Sequence, residues 1–265
     1  MGSENSCFVL LLAGGGMPDD LKAASGASKR CLINLGGKTL LERMLIALND
    51  ALDSPRIAVN LGYDEQGADL LLPYGESVSY YTCEGGLLDA IIKGLELLQA
   101  EAGRDISGEN VLLVNVDLPL VTTEHVIALM SEATALEADG VWPVVEKSVV
   151  LKSFPDTKRT WVKTKQGTFT GGNIFLVKPR LIWDNRALLE KAYQNRKNPM
   201  AIASLFSPSL IMRLMAGSIS IPDLELSFSQ RFKAKLKLLL FSYPEVAVDL
   251  DKLDDYTLMK RLIEA

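Results

Sequence analysis

The chain has 265 residues, and its 28 Lys and Arg against 33 Asp and Glu give a formal net charge of −5 with His neutral. Hydrophobic residues make up 48% and charged residues 23%, which is ordinary for a globular protein. The length is sufficient for one large α/β domain with a sizeable core. The mildly acidic balance argues against a protein whose main partner is nucleic acid or an anionic membrane.

Residue counts exclude several kinds of chemistry. The cysteines Cys7, Cys31 and Cys83 form no CxxC pair and show no metal-ligand spacing. His125 is the single histidine, so a His-rich zinc site is excluded, and no GxSxG motif is present. No apolar run approaches the length of a membrane-spanning helix, and no signal peptide is recognisable. These features favour a reduced, cytoplasmic protein.

Strand and helix signals alternate through the first half of the chain. Continuous apolar runs such as Cys7–Ala13 predict buried strands, and helical spacing of leucines predicts helices between them. This order predicts a mostly parallel sheet with helices on both faces. Strands are predicted at 7–13, 56–60, 78–82, 110–116 and 140–145, and helices at 40–52, 64–72, 87–98 and 122–136.

The pattern changes after residue 145. Arg159–Val177 reads as extended segments around a glycine pair, and Arg180–Gly217 as two or three helices interrupted at Pro199 and Pro208. Strict alternation of apolar residues and lysines over Gln230–Phe241 predicts a strand with one exposed face. A short strand at 246–248 and a closing helix at 251–263 follow. The simplest organisation is one domain, 1–265, with a helical insertion at 180–229.

A glycine loop follows the first predicted strand. Gly14, Gly15 and Gly16 have no side chain to obstruct a phosphate or base that approaches the backbone, and Lys29 lies thirteen residues beyond them. The spacing matches neither the GxGxxG nor the GxxxxGK[ST] motif. A tight turn with a solvated lysine remains the alternative.

Acidic residues follow two further predicted strands. Asp117 comes directly after a buried strand, where open α/β sheets bind ligands and where a carboxylate can hold Mg²⁺. Asp249 and Asp251 would lie on one side of a continuing strand, and two such carboxylates repel unless a cation lies between them. The alternative in both places is capping of the helix that follows.

Three weaker candidates complete the set. Gly171, Gly172 and Asn173 form either a turn or a close approach to substrate. Lys163 on the preceding strand either reaches a phosphate or is solvated, and the lysine row of 233, 235 and 237 reads as an exposed strand face. We expect no catalytic role for His125.

Together these features resemble the MobA-like nucleotidyltransferases, which are related to molybdenum cofactor guanylyltransferase and to sugar-phosphate nucleotidyltransferases. The resemblance implies a three-layer α/β/α, Rossmann-like nucleotide-diphospho-sugar transferase fold with a mostly parallel, mixed sheet. Its motifs are Leu12-Ala13-Gly14-Gly15-Gly16, Lys29 with Leu35-Gly36-Gly37-Lys38, Gly85-Gly86-Leu87, Asp117-Leu118-Pro119-Leu120, Gly171-Gly172-Asn173 and Val248-Asp249-Leu250-Asp251.

The resemblance also implies roles for these residues. The nucleotide would bind at Leu12, Ala13, Gly14, Gly15, Gly16, Gly85 and Gly86, with Lys29 on its phosphates and Lys29 and Asp117 as catalytic residues. Asp117, Asp249 and Asp251 would hold Mg²⁺, and Gly171, Gly172, Asn173 and Lys163 would contact the acceptor. The family arginine after the glycines is missing, and Lys22 is the candidate substitute in an acidic stretch.

The implied reaction is transfer of an NMP group from an NTP to a small phosphorylated acceptor, with release of diphosphate. GTP is one candidate substrate, although the sequence does not name the base. A metal-dependent glycosyltransferase that uses an NDP-sugar and a non-catalytic nucleotide-binding domain are the alternatives. No nucleic acid or membrane partner is expected, and a homo-oligomer is possible.

Overall fold

A nine-stranded mixed sheet forms the centre of the computed structural model, which describes residues 7–195, 205 and 208–264. Eight strands follow the order β5-β4-β1-β6-β10-β7-β9-β8, and β11 pairs with the free side of β7. The strands are β1 (Phe8–Leu12), β4 (Arg56–Asn60), β5 (Val78–Tyr81), β6 (Val111–Asn115), β7 (Gly140–Glu146), β8 (Val162–Thr164), β9 (Gly167–Gly171), β10 (Ile174–Val177) and β11 (Leu236–Leu240). A separate two-stranded ribbon joins β2 (Asn34–Leu35) to β3 (Lys38–Thr39).

Four adjacent strands, β5, β4, β1 and β6, are parallel and in close register. Leu12 at the end of β1 pairs with Asn60 on one side and with Asn115 on the other. Asn60 in turn pairs with Tyr81 at the end of β5. The four strands therefore end side by side, and the loops that follow them share one edge of the sheet.

Helices cover both faces of this sheet. Val9 and Leu11 of β1 join one core with the helices over 40–51 and 123–134, whereas Phe8 and Leu10 join a second core with the helix over 87–102. This alternation follows from the period of two in a strand that is buried on both sides. The helices are α1 (Asp19–Ser25), α2 (Leu40–Ala51), α3 (Leu87–Ala102), α4 (Thr123–Thr134), α5 (Lys147–Ser153), α6 (Pro179–Asp184), α7 (Arg186–Gln194), α8 (Pro208–Met215), α9 (Ile221–Phe232) and α10 (Leu253–Glu264).

The second half of the sheet is mixed. β10 runs antiparallel to both β6 and β7, and β9 pairs antiparallel with the carboxyl half of β7. α9 covers the outer edge of β11, where Glu225 accepts a hydrogen bond from the Leu238 amide and Ser229 accepts one from the Leu236 amide. These side chains satisfy backbone groups that an edge strand would otherwise expose.

The three-layer α/β/α fold with a mostly parallel, mixed sheet is confirmed. Two helices, α1 and α5, form where the sequence predicts none, because a helix of seven residues is too short for its apolar spacing to be recognised. The predicted helix at 64–72 is a 3-10 segment over Ala68–Ser77 that contains Pro73. Pro199 lies outside the described residues.

Two strand predictions near the C-terminus differ from the structure. The strand predicted over Gln230–Phe241 is confirmed as β11, but only over Leu236–Leu240. The first four residues of the predicted strand Gln230–Phe241 include the end of α9, which terminates at Lys233 with φ of 50°. The exposed lysine face is also wrong: Lys237 pairs with Glu225, and it is Leu240 that is 53% exposed. Residues 246–248 are not a strand: Val246 and Ala247 lie in a 3-10 turn over Pro244–Ala247, and Val248 caps it. No helix among the described residues is long and apolar enough to cross a membrane.

Candidate nucleotide and metal site

A cavity of about 340 Å³ lies at the edge where β5, β4, β1 and β6 end. Its wall is built from the loops after these four strands, the first turn of α3 and one residue of α7. Arg30 and Asp117 are the charged residues of this wall. The lining residues are Leu12, Gly14, Gly15, Gly16, Arg30, Asn60, Gly62, Tyr63, Cys83, Gly85, Gly86, Leu87, Ala90, Asn115, Val116, Asp117 and Tyr193.

The three loop glycines play different roles. A Cβ on Gly14 would lie 2.4 Å from Oδ1 of Asn60 and 2.6 Å from Cα of Gly62, so Gly14 is required for the packing of two loops. A Cβ on Gly15 or on Gly16 would meet nothing within 4 Å. The backbone of these two residues is therefore open to a ligand in the cavity.

Three carboxylates come together beside the cavity. Asp117 follows β6, and its carbonyl accepts a hydrogen bond of 2.8 Å from the Leu250 amide, which places Asp249 and Asp251 next to it. One oxygen from each of the three aspartates lies within 4.8 Å of the others. An all-oxygen set of this size is the kind of site that Mg²⁺ prefers.

Arg30 bridges two of these carboxylates. Its Nη1 atom lies 2.8 Å from Oδ2 of Asp117 and 2.5 Å from Oδ1 of Asp251, and its Nη2 donates to the Gly16 carbonyl at 2.8 Å. The guanidinium supplies the positive charge that clustered carboxylates need. Oδ1 of Asp117 is buried and has no hydrogen-bond partner among the described residues, so this oxygen is available to a cation.

Burial and the nearby charges of opposite sign shift the pKa values of Asp117 and Arg159 in opposite directions. Burial raises the pKa of Asp117 above its ordinary value, Arg30 opposes this rise, and the Asp251 carboxylate adds to it. Burial also lowers the pKa of Arg159, against the effect of the nearby aspartates. A bound cation would favour the charged form of Asp117.

Arg159 is a second cation at the cluster and contacts the aspartate that Arg30 does not. Its guanidinium forms an ion pair with Asp249, donates to the Asp249 carbonyl at 3.1 Å and lies 3.9 Å from Asp255. Asp255 accepts hydrogen bonds from the amides of Asp251 and Lys252, so it fixes the start of α10 and the orientation of the loop.

The two lysines predicted on the nucleotide side do not line the cavity. Nζ of Lys29 donates to the carbonyls of Leu61 and Asp64 at 2.8 and 3.0 Å and forms an ion pair with Asp64, so Lys29 holds the loop after β4. Lys22 is exposed on α1. Ala13 is buried and donates its amide to the Asn60 carbonyl.

The residues predicted on the acceptor side divide into two groups. The Asn173 carbonyl accepts a bond of 3.4 Å from the Asn115 amide, so Gly172 and Asn173 lie at the same sheet edge as the end of β6. Gly171 packs against the Trp142 ring, which leaves no room for a Cβ. The side chain of Lys163 lies against Gly217, and Lys163 does not line the cavity.

Several site residues escape sequence reasoning. Arg30 is visible only as a cation beside Lys29, and Arg159 gives no local signal because it lies in an irregular loop before β8. Tyr193 comes from α7, far along the chain from the glycine loop. Only the folded chain brings these residues to one edge.

Comparison with known proteins identifies the family of this chain. The MobA-like NTP transferase domain matches residues 9–214. A hypothetical transferase structure from Thermus thermophilus is 29% identical, covers 94% of this chain and 99% of its own, and superposes with a TM-score of 0.78. No curated protein sequence gives a significant match.

More distant structures share the fold. The 4-diphosphocytidyl-2C-methyl-D-erythritol synthase of Anaerococcus prevotii is 15% identical with a TM-score of 0.57, and covers 99% of this chain and 98% of its own. A protein named putative glucose-1-phosphate thymidylyltransferase, from Bacillus anthracis, is 12% identical with a TM-score of 0.60, and covers 97% of this chain and 95% of its own. The family match extends over most of the chain, and we therefore conclude that this protein belongs to the MobA-like NTP transferase family and is a nucleotidyltransferase.

Proposed function

We propose that the protein transfers an NMP group from an NTP to a small phosphorylated acceptor, in a Mg²⁺-dependent reaction that releases diphosphate. The observation that carries this proposal is that one cavity is lined by the open backbone of Gly15 and Gly16 and also by Asp117 and Arg30. An anionic ligand with a metal ion fits such a wall, because backbone amides and a guanidinium bind phosphate.

The chemistry requires positioning and charge neutralisation more than covalent catalysis. An acceptor phosphate oxygen forms a bond to the α-phosphorus, and the bond from that phosphorus to the bridging oxygen breaks as diphosphate leaves. Mg²⁺ held by Asp117 with Asp249 or Asp251 would neutralise phosphate charge. Arg30 exchanges its carboxylate partners for phosphate oxygens when the nucleotide binds.

The position of Gly172 and Asn173 supports an acceptor subsite beside β6. These residues adjoin the end of β6 on its β10 side, so a phosphorylated acceptor bound there would lie next to Asp117. Sugar phosphates and cofactor-type phosphates are the acceptor classes to test. GTP is the first nucleotide to test. Cytoplasmic location, homo-oligomer formation and the roles of Lys22, Lys29 and Lys163 stay predictions.

The test is nucleotide binding and product release by the purified chain. The wild type should show a rise in melting temperature with one NTP that depends on Mg²⁺, since a ligand at about 100 times its Kd adds roughly 2.7 kcal/mol. With an acceptor panel it should release diphosphate. Asp117→Asn should lose the Mg²⁺ dependence and about 100-fold or more of the turnover.

Asp254→Asn is the matched control, because Asp254 lies in the first turn of α10 and its side chain is 82% exposed. This variant should behave like the wild type. Release of an NDP from an NDP-sugar would instead support a glycosyltransferase. Nucleotide binding without turnover on any acceptor would favour a binding domain and contradict the proposal.

A further inference from the structure

The charges on the cavity wall are confined to one end. Arg30 and Asp117 lie at the β6 end, whereas the loop after β5, the first turn of α3 and α7 contribute uncharged residues, which together form what we call the uncharged end: Cys83, Gly85, Gly86, Leu87, Ala90 and Tyr193. Adjacent strands are about 4.8 Å apart, so the three intervals from β6 to β5 separate Asp117 from the loop after β5 by roughly 14 Å. The charged end suits phosphates, and the uncharged end suits the nucleobase.

Helix α7 supplies one of the two aromatic residues of the cavity wall; the other, Tyr63, lies in the loop after β4. Tyr193 lies in its last turn, half-buried, and lines the same cavity as the loop after β5. This helix follows β10 and contains none of the glycine or aspartate motifs of the site, although it lies within the residues 9–214 that the family model matches. An aromatic ring at the uncharged end offers a flat surface for a base.

Three contacts hold α7 beside the cavity. At its N-terminus, Nδ2 of Asn185 donates to the Phe232 carbonyl at 3.2 Å, which ties α7 to the end of α9. In its middle, Leu189 packs against the core between α3 and β1. Nη2 of Arg186 lies 3.1 Å from Oδ1 of Asp89 in α3. The position of Tyr193 is therefore set by the fold.

Asp89 connects this helix to the loop after β5. Its Oδ2 accepts a hydrogen bond of 3.1 Å from the Gly86 amide, while its Oδ1 accepts from Arg186. A Cβ on Gly85 would lie 2.7 Å from the Asp89 side chain, so the loop is packed closely on this carboxylate. One carboxylate thus holds both walls of the uncharged end.

We propose that Tyr193 is the residue that contacts the nucleobase, and that α7 is a base-binding wall of the nucleotide site. This inference rests on the proposed function, because it assigns the two ends of the cavity to the two ends of an NTP. The Tyr193 ring packs on the face of the base, while backbone groups of the loop after β5 form hydrogen bonds with the edge of the base. Affinity for the base then depends on an aromatic ring and little on the phenol hydroxyl.

The test compares two ligands that differ only in the presence of a nucleoside. Tyr193→Ala should weaken binding of the preferred NTP with Mg²⁺ by about tenfold or more, as expected for loss of one stacking contact. Binding of inorganic tripolyphosphate with Mg²⁺ should be unchanged, because its contacts lie at the Arg30 end. Tyr193→Phe should bind the NTP like the wild type. Isothermal titration gives all of these affinities without turnover.

Lys191→Ala is the matched control, since Lys191 is an exposed residue of the same helix. It should leave both affinities unchanged. Tyr193→Leu preserves the apolar bulk and serves as the second variant if the alanine protein does not fold. Equal NTP affinity in wild type and Tyr193→Ala, or equal losses for the NTP and tripolyphosphate, would overturn the inference. A wild type that binds no NTP would instead overturn the proposed function.

Discussion

Arg30 and Asp117 form an ion pair between two buried side chains, with 2.8 Å between Nη1 and Oδ2 and only 14% and 13% of each side chain exposed. The pair lies where the cavity meets the carboxylate cluster, and Arg30 also reaches Asp251. A fixed cation thus stabilises two of the three carboxylates, while Arg159 pairs with the third, Asp249. Removing one partner of a buried pair costs more than the pair itself contributes.

We expect Arg30→Met to destabilise the metal-free protein by about 3 kcal/mol, because the carboxylates lose their counter-ion. Mg²⁺ should then restore more stability to this variant than it adds to the wild type. The measurement is the melting temperature of both proteins in EDTA and in millimolar Mg²⁺.

Arg261→Met is the control for this effect, since Arg261 is 66% exposed and pairs with the exposed Asp156. Its melting temperature should barely change, as for most surface ion pairs. Equal gains from Mg²⁺ in wild type and Arg30→Met would show that Arg30 does not act as the counter-ion of a cation site.

The glycine loop offers a second prediction, in which neighbouring residues give opposite results. Gly14→Ala should unfold or strongly destabilise the protein, because its Cβ would overlap Asn60 and Gly62. Gly15→Ala should keep the wild-type melting temperature and weaken NTP binding, since its Cβ enters open space in the cavity. Thermal unfolding and titration calorimetry separate the two effects. Undiminished binding by Gly15→Ala would place the phosphates elsewhere.

These results show which parts of the site are visible in a sequence. Asp117 was predictable because a buried apolar run ends directly at it, and the carboxyl ends of parallel strands are where ligands bind. The prediction for Asp249 rested on a preceding strand, and the structure has a 3-10 turn there instead. The position of Asp249 is set by the backbone hydrogen bond from the Leu250 amide to the Asp117 carbonyl.

The contacts of long side chains were not predictable. Lys29 and Arg30 are adjacent, yet their side chains reach different places: Lys29 ties the loop after β4, while Arg30 enters the carboxylate cluster. Lys29 precedes a short 3-10 turn and Arg30 is the first residue of that turn, so the two side chains leave the backbone in different directions. No periodic pattern encodes that divergence, because it depends on the irregular backbone between Gly26 and Leu35. The same limit applies to Arg159.

Cysteine labelling gives a third prediction that needs no acceptor. Burial raises the pKa of Cys7 and Cys31 to about 11, so at pH 8 only ~0.1% of each is the reactive thiolate. Cys83 lines the cavity proposed to bind the nucleotide and is partly exposed. We expect one fast-reacting thiol per chain with a maleimide reagent, and we expect the NTP with Mg²⁺ to slow its reaction.

Cys83→Ser is the control, and it should abolish the fast phase while leaving the slow reaction of the other thiols. Mass spectrometry of the labelled peptide identifies the site directly. A fast phase that persists in Cys83→Ser, or one that nucleotide does not affect, would contradict the placement of the ligand beside the loop after β5.

A fourth prediction concerns the start of β7, where one carboxylate holds three chain segments together. Burial alone would raise the pKa of Asp139, but hydrogen bonds from Arg180, the Lys235 amide and Lys178 outweigh it and lower the pKa to about 2. A lowered pKa in the folded state contributes stability above the unfolded value of about 3.9, and this contribution is lost as the pH falls towards 2.

Asp139→Asn should therefore lower the free energy of unfolding by about 2 kcal/mol at most at pH 7. The difference from the wild type should shrink steadily between pH 4 and pH 2, because the wild-type carboxylate is then protonated. Urea unfolding at several pH values measures it. Asp156→Asn is the control, since Asp156 is 72% exposed and should show a small difference at every pH. A difference for Asp139→Asn that stays constant from pH 7 to pH 3 and below would mean that shape and hydrogen bonding, rather than charge, account for its contribution.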